Sequence, residues 1–288
     1  MNISKWVFAA GLATAAIAAD RSVVLIAGAP SHGPMAHEHN AGILLLKKGL
    51  SQVPGIRVTA HLSGWPSDSS SIDTADAVLL YSDGANGHMA FAGVHSQALD
   101  RAAKRGAGIV CVHYAVEPPF DEREKLMIAW IGGAFELNYS VNPTWEADFR
   151  ELPKHPVTRG VKPFRLRDEW YYNMRFADGM RGITPILTAT PPDGTLGRKD
   201  GPRSGNPAVR AMAGKPQHLA WAYSRPGGGR GFGFTGGHFH RNWGVENFRK
   251  IVLNAVVWAA KGEVPKNGVN VDITSEELTR NLDPKPGK

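Results

Sequence analysis

Three short apolar runs constrain this chain more than any other feature. They are Ser22-Val23-Val24-Leu25-Ile26-Ala27-Gly28, Ala75-Asp76-Ala77-Val78-Leu79-Leu80-Tyr81 and Gly108-Ile109-Val110-Cys111-Val112. The first and third are rich in β-branched residues, and all three are too short for a core helix. Strands with no polar alternation are strands covered on both faces, which is the condition of a parallel sheet. Between them lie helical patterns, Ala41 to Val53 with Ile43, Leu44, Leu46 and Leu50 on one face, and an amphipathic Gln97 to Lys104. Ile56 to Leu62 reads as a further strand. The order is β-α-β, then β-α-β, so the chain is predicted to form a doubly wound, mostly parallel α/β sheet with helices on both faces.

Further along, a helix is expected over Glu122 to Ile131, strands over Ile183 to Thr190, Gln217 to Tyr223 and Gly231 to Thr235, and a last helix over Val245 to Lys261. The pattern loosens between Glu117 and Arg167. The Gly/Pro-rich Pro191 to Pro207 reads as a surface loop. No internal repeat and no second boundary interrupts this, so residues 20–262 are expected to be one domain with inserted loops. Residues 263–288 form a polar, Pro-punctuated tail that wraps or frays. Residues 1–19 carry Lys5, then an apolar, Ala-rich run from Trp6, then the small-x-small Ala16-Ile17-Ala18. That is the pattern of a secretory signal peptide, too short to span a bilayer, and it predicts a periplasmic or secreted protein.

Several function classes fall away. The net charge of +7 is spread out, with no block of Lys/Arg and no nucleic-acid motif. There is no G-x-S-x-G elbow, no G-x-x-x-x-G-K-[ST], and no G-x-G-x-x-G after the first strand. Serine hydrolysis and a nucleotide cofactor are thus unsupported. Cys111, the single cysteine, lies inside a continuously apolar strand and reads as a buried thiol. No other run reaches membrane-spanning length, and a homo-oligomer is compatible with the sequence.

The chemistry-bearing residues gather at strand ends. His32, His37 and His39 follow the first strand, Asp83 the third, and His113-Tyr114 the fourth. The glycines Gly236-Gly237 introduce His238, His240, Arg241, Asn242 and Trp243. In a parallel sheet all strand carboxyl ends lie on one side, where open α/β sheets bind ligands. His37 and His39, at i and i+2, make a poor chelating pair in either a strand or a helix. The expected catalytic groups are therefore His113 and His238 with Glu169, and the expected metal ligands His32, His113 and His238. His32, His37, His39, Asp83, Tyr114, Trp170, Tyr171, His240, Asn242 and Trp243 are expected to line a binding crevice. His61, His95, His155 and His218 read as structural or exposed. Imidazoles and a carboxylate can hold one divalent metal, zinc or similar, or can exchange protons without one. Aromatic faces beside Asn, Asp and Arg suit a polyhydroxylated ligand, whether the protein turns it over or only binds it.

Taken together, the segments Ser31-His32-Gly33 to His39, Gly108 to Ala115, Ile131-Gly132-Gly133-Ala134-Phe135, His155-Pro156-Val157-Thr158, Asp168-Glu169-Trp170-Tyr171, Gly229 to His238 and Asn254 to Ala259 resemble the ThuA-like (trehalose utilisation) proteins. The resemblance implies a flavodoxin-like, class I glutamine amidotransferase-like fold. It also implies carbohydrate metabolism, with glucosides or disaccharides and their 3-keto derivatives as substrates. His113 then occupies the turn where amidotransferase relatives carry a nucleophilic cysteine, so glutaminase activity is not implied.

Overall fold

The computed structural model describes residues 20–285. Residues 1–19, expected from sequence to be a signal peptide, lie outside the described residues. In chain order the strands are β1 (Arg21–Ala27), β2 (Ile56–His61), β3 (Ala77–Tyr81), β4 (Gly108–Val112), β5 (Gly133–Ala134), β6 (Thr144–Phe149), β7 (Phe164–Glu169), β8 (Arg175–Phe176), β9 (Ile183–Ala189), β10 (Gln217–Ser224) and β11 (Arg230–Phe234). The helices are α1 (His39–Leu50), α2 (Ser70–Thr74), α3 (His95–Arg105), α4 (Arg123–Ile131), α5 (Asp193–Leu196), α6 (Pro207–Arg210) and α7 (Glu246–Ala259).

Seven strands form one sheet in the order β2-β1-β3-β4-β11-β10-β9. Strands β2, β1, β3, β4 and β11 run parallel, and the β11–β10–β9 edge is antiparallel. The alternation of side chains along each strand divides the core in two. Val23, Leu25, Leu79, Val110, Val112 and Phe232 face α1 and α7, where Ile43, Leu46, Ile251 and Ala255 cover them. Val24, Ile26, Val78, Leu80, Ile109 and Cys111 face α3 and α4, covered by Leu99, Ala102, Met127 and Ile131. The central strands are apolar throughout because both of their faces are walls of a core. Cys111 is wholly buried, its Sγ 3.9 Å from the Met127 sulfur.

Order returns in the loosened stretch as a hairpin, β6–β7, outside the main sheet. Trp145, Ala147 and Phe149 turn inward while Thr144 and Glu146 are exposed, the period of two that a one-sided strand requires. Its exit carries Asp168 and Glu169 to the carboxyl ends of β4 and β11. The segment after α7 wraps rather than frays. The Asp283 carboxylate accepts from the N–H groups of His39 and Asn40, at the start of α1. Among the described residues no helix is long and apolar enough to cross a membrane.

Candidate functional site

Two glycines let the β11 turn approach the end of β4. A Cβ on Gly236 would stand 2.4 Å from the Trp170 ring, and Gly237, at φ 119°, would bring its Cβ within 3.3 Å of His113 Cβ. The turn is held by a carboxylate. Asp168, wholly buried, accepts from Gly237 N (2.8 Å), His238 N (3.1 Å), Phe239 N (3.3 Å) and Glu169 N (2.8 Å). Burial pushes this carboxyl up, while the Asn242 amide and these N–H groups pull it back down. Four donors and no acceptor around the group keep it a carboxylate. Asp168 thereby sets both Glu169 and His238, and sequence reasoning missed it.

On the opposite side, the turn after β1 folds back on itself. His32, Met35 and His37 all take left-handed backbone, at φ 56°, 63° and 48°. That conformation breaks the strand-or-helix assumption behind the reading of His37 and His39 as a poor pair. His37 points inward, and His37 rather than His32 joins the central cluster. His37 N–H donates to His238 O (3.1 Å), and His240 N–H to Met35 O (2.9 Å), so the two histidine turns are stitched by their backbones.

The ligand atoms of His37, His113, His238 and Glu169 all lie within 4.8 Å of one another. His37 Nε2 is 3.1 Å from His113 Nε2 and 3.1 Å from His238 Nδ1. Glu169 Oε2 is 3.5 Å from His113 Nε2 and 3.4 Å from His238 Nδ1. The outer contacts decide the tautomers. His113 Nδ1 is 2.8 Å from the Thr235 carbonyl, which can only accept, so that nitrogen carries the proton. His37 Nδ1 is 2.9 Å from Asp83 Oδ1, and donates to that carboxylate. Both Nε2 atoms therefore direct lone pairs at each other across 3.1 Å. A proton between them would charge a buried imidazole. Burial, and then the neighbouring histidines, hold both rings far below the usual histidine range.

This arrangement fits a divalent cation. Bonds of about 2.0–2.1 Å in a tetrahedral zinc site put ligand atoms roughly 3.3 Å apart, close to the separations here. An imidazole ligand whose other N–H is tied to a carboxylate or carbonyl is the usual outer arrangement of such sites. Tyr171, buried, sets its hydroxyl 3.3 Å from His113 Nε2. Asn142 Nδ2 donates to Glu169 Oε1 (3.2 Å), leaving Oε2 toward the cluster.

His32 stacks on the outer face of His37, ring centroids 3.6 Å apart, with its side chain 40% exposed. Its Nδ1 contacts Ser31 Oγ (3.0 Å), which in turn donates to Asp83 Oδ1 (2.9 Å). Burial lowers its pKa against the pull of Asp83. Tyr114, half-buried, sets its ring 6.4 Å from that of His32 and 6.0 Å from that of His37.

Five expected crevice residues are not there. Trp170 is buried against Phe149, Phe234 and Phe248, its indole N–H donating to Leu166 O. Trp243 is buried between Tyr81 and Phe248. For rings of this size, full burial outweighs a place on a crevice wall. The Asn242 amide donates to Arg167 O and braces the turn from inside. His240 is wholly buried, turned away by the single helical turn it opens. His39 is also buried, its Nδ1 on Ala29 O and its Nε2 3.9 Å from Asp83 Oδ1.

The sheet order, with the side-chain cluster at the strand carboxyl ends, is that of a flavodoxin-like α/β protein with the class I glutamine amidotransferase-like fold. Residues 24–259 match the family model ThuA, described as trehalose utilisation, and the chain belongs to that family, with the carbohydrate-related role it carries. Two solved structures share the fold. A ThuA-like protein from Parabacteroides merdae aligns at 17% identity and TM-score 0.54, covering 89% of this chain and 94% of that one. A ThuA-like protein from Bacteroides uniformis aligns at 14% identity and TM-score 0.52, covering 87% and 94%. No curated protein matches the sequence.

Proposed function

We propose that this chain is a metal-dependent carbohydrate-processing enzyme, periplasmic or secreted, that acts on a glucoside or disaccharide in its 3-keto form. The observation that carries this reading is the pair of facing Nε2 lone pairs, His37 against His113, joined by His238 and Glu169. A divalent metal held by these four residues supplies Lewis acidity toward a carbonyl oxygen. Because His113 and His238 are committed to the cluster, the proton transfer expected of them from sequence passes to His32. With Nδ1 tied through Ser31 to Asp83 and the side chain 40% exposed, Nε2 is the basic atom that His32 offers to a substrate.

In a 3-keto glucoside the C2 proton is acidified by the adjacent carbonyl. His32 takes that proton, the C2–H electron pair forms the C1=C2 bond, and the C1–O bond breaks. His32 returns the proton to the leaving oxygen, and water adds across C1=C2. The balance is hydrolysis to the 3-keto sugar and the free alcohol. Tyr114 and Asp83 border the space where sugar hydroxyls would sit.

The test is turnover of 3-keto-glucosides beside unoxidised glucosides, with and without EDTA, alongside metal analysis of the protein. The expected result is hydrolysis of the keto form alone, lost with EDTA and restored by zinc. His113→Ala, which removes a metal ligand, is expected to lower kcat/KM by about 10²-fold or more with the fold intact. Full turnover in EDTA refutes the metal; thermal stabilisation by sugar without any product makes the protein a carbohydrate-binding module instead.

A further inference from the structure

The turn that carries His37 is unusual in being held from outside itself. Three of its residues, none of them glycine, sit in left-handed backbone, a conformation that persists only where surroundings over-determine it. The determinant comes from the far end of the chain. Lys285 Nζ donates to the carbonyls of Ser31 (3.0 Å), Ala36 (2.8 Å) and His37 (3.3 Å) and pairs with Glu38 Oε2 at 3.3 Å. Glu38, itself buried, accepts from Asp283 N through Oε2 (2.7 Å) and from Met35 N through Oε1 (2.7 Å). The Asp283 carboxylate completes the join on His39 N (2.8 Å) and Asn40 N (3.3 Å).

We propose that residues 281–285 are a positioning strap, in which Lys285 and Asp283 lock the strained turn so that His37 Nε2 faces His113 and His238. One ammonium gathers three carbonyls that the left-handed backbone points the same way. Without it those carbonyls lose their common partner, and the buried Glu38 carboxylate loses its counter-charge. The turn would relax toward ordinary backbone, and the His37 ring would leave the cluster. The strap thus makes the candidate centre depend on a segment more than 240 residues away from the turn in sequence. Lys285 touches no ligand atom of the cluster; it acts through the backbone.

The inference rests on the metal reading above for its functional consequence, and on backbone geometry alone for its structural one, so two readouts separate them. Full-length wild type, Lys285→Met, the charge-balanced Glu38→Gln/Lys285→Met double variant and Lys285→Arg are compared. Zinc affinity is measured by competition with a chromophoric chelator, and hydrogen exchange is followed at the His37 amide, which donates to His238 O. Lys285→Met and the double variant are expected to bind zinc at least tenfold more weakly. Their His37 amide should exchange at least tenfold faster while the β1, β3 and β4 amides keep wild-type protection. Lys285→Arg should recover part of both losses. Should wild type bind no zinc, the metal reading fails and exchange alone judges the strap. Wild-type exchange at His37 in both disabled variants overturns the strap, whatever zinc does; where the wild type binds zinc, wild-type zinc affinity in both disabled variants overturns it too.

Discussion

Replacing Asp168 with Asn separates two accounts of the centre of this site. The two side chains have nearly the same shape. If burial held Asp168 as a neutral acid, the amide would replace it at little cost. The geometry demands a carboxylate instead, since Oδ2 accepts from Gly237 N at 2.8 Å and Oδ1 from Glu169 N, His238 N and Phe239 N at 2.8, 3.1 and 3.3 Å. In Asp168→Asn the amide oxygen serves one of these sets, and the NH2 group is driven against the donors of the other. Losing one hydrogen bond to a charged group costs about 1.5–3 kcal/mol, and leaving a buried donor unpaired about 1–3 kcal/mol more. The total is about 3 kcal/mol or more, which for a domain of this size lowers Tm by roughly 6–12 °C. Differential scanning calorimetry near pH 7 measures this directly. Because the same carboxylate sets Glu169 and His238, zinc affinity is expected to fall as well. A Tm within about 1 °C of wild type would refute the carboxylate, and with it the account of how the Gly236-Gly237 turn is held.

Two further outcomes can be checked. His88, buried away from the cluster, donates Nε2–H to Ala115 O and accepts Ala90 N–H at Nδ1, and burial lowers its pKa from 6.5 to about 4. A histidine whose folded pKa lies below its unfolded one contributes its full stability above the unfolded value and loses it as pH falls. About 3 kcal/mol should therefore disappear between pH 6.5 and 4, and His88→Gln should show a visibly flatter Tm profile over that window. A wild-type slope in the variant would count against the neutral ring. Asn142→Ala removes the donor to Glu169 Oε1. It is expected to weaken zinc binding about tenfold with little change in Tm, as loss of an outer partner does. Unchanged affinity would show that Glu169 needs no such guide.

Much of this architecture is local, which is why it is legible without coordinates. A strand buried on both faces must be apolar at every position, and a helix lying on a sheet must repeat near 3.6. The runs at Val23–Ala27, Ala77–Tyr81 and Gly108–Val112 thus declare a doubly wound sheet on their own. Parallel strands then bring the turns at His37, Asp83, His113 and His238 to one side by topology alone. The β6–β7 hairpin had a signal too, the alternation of Trp145, Ala147 and Phe149, diluted by the polar residues around it.

What only the tertiary structure decided is which side chains at those turns meet. Choosing His37 over His32 depends on left-handed backbone at three residues, and that depends on Lys285 and Glu38, partners from opposite ends of the chain. Trp170 and Trp243 look like crevice walls by position, yet the core takes them because their rings bury more area there. Asp168 shows nothing in sequence beyond its place beside Glu169. Periodicity records which face of an element is buried, a property of each segment alone. The direction of a lone pair or the partner of a buried charge belongs to contacts between segments, and these exist only once the chain has closed on itself.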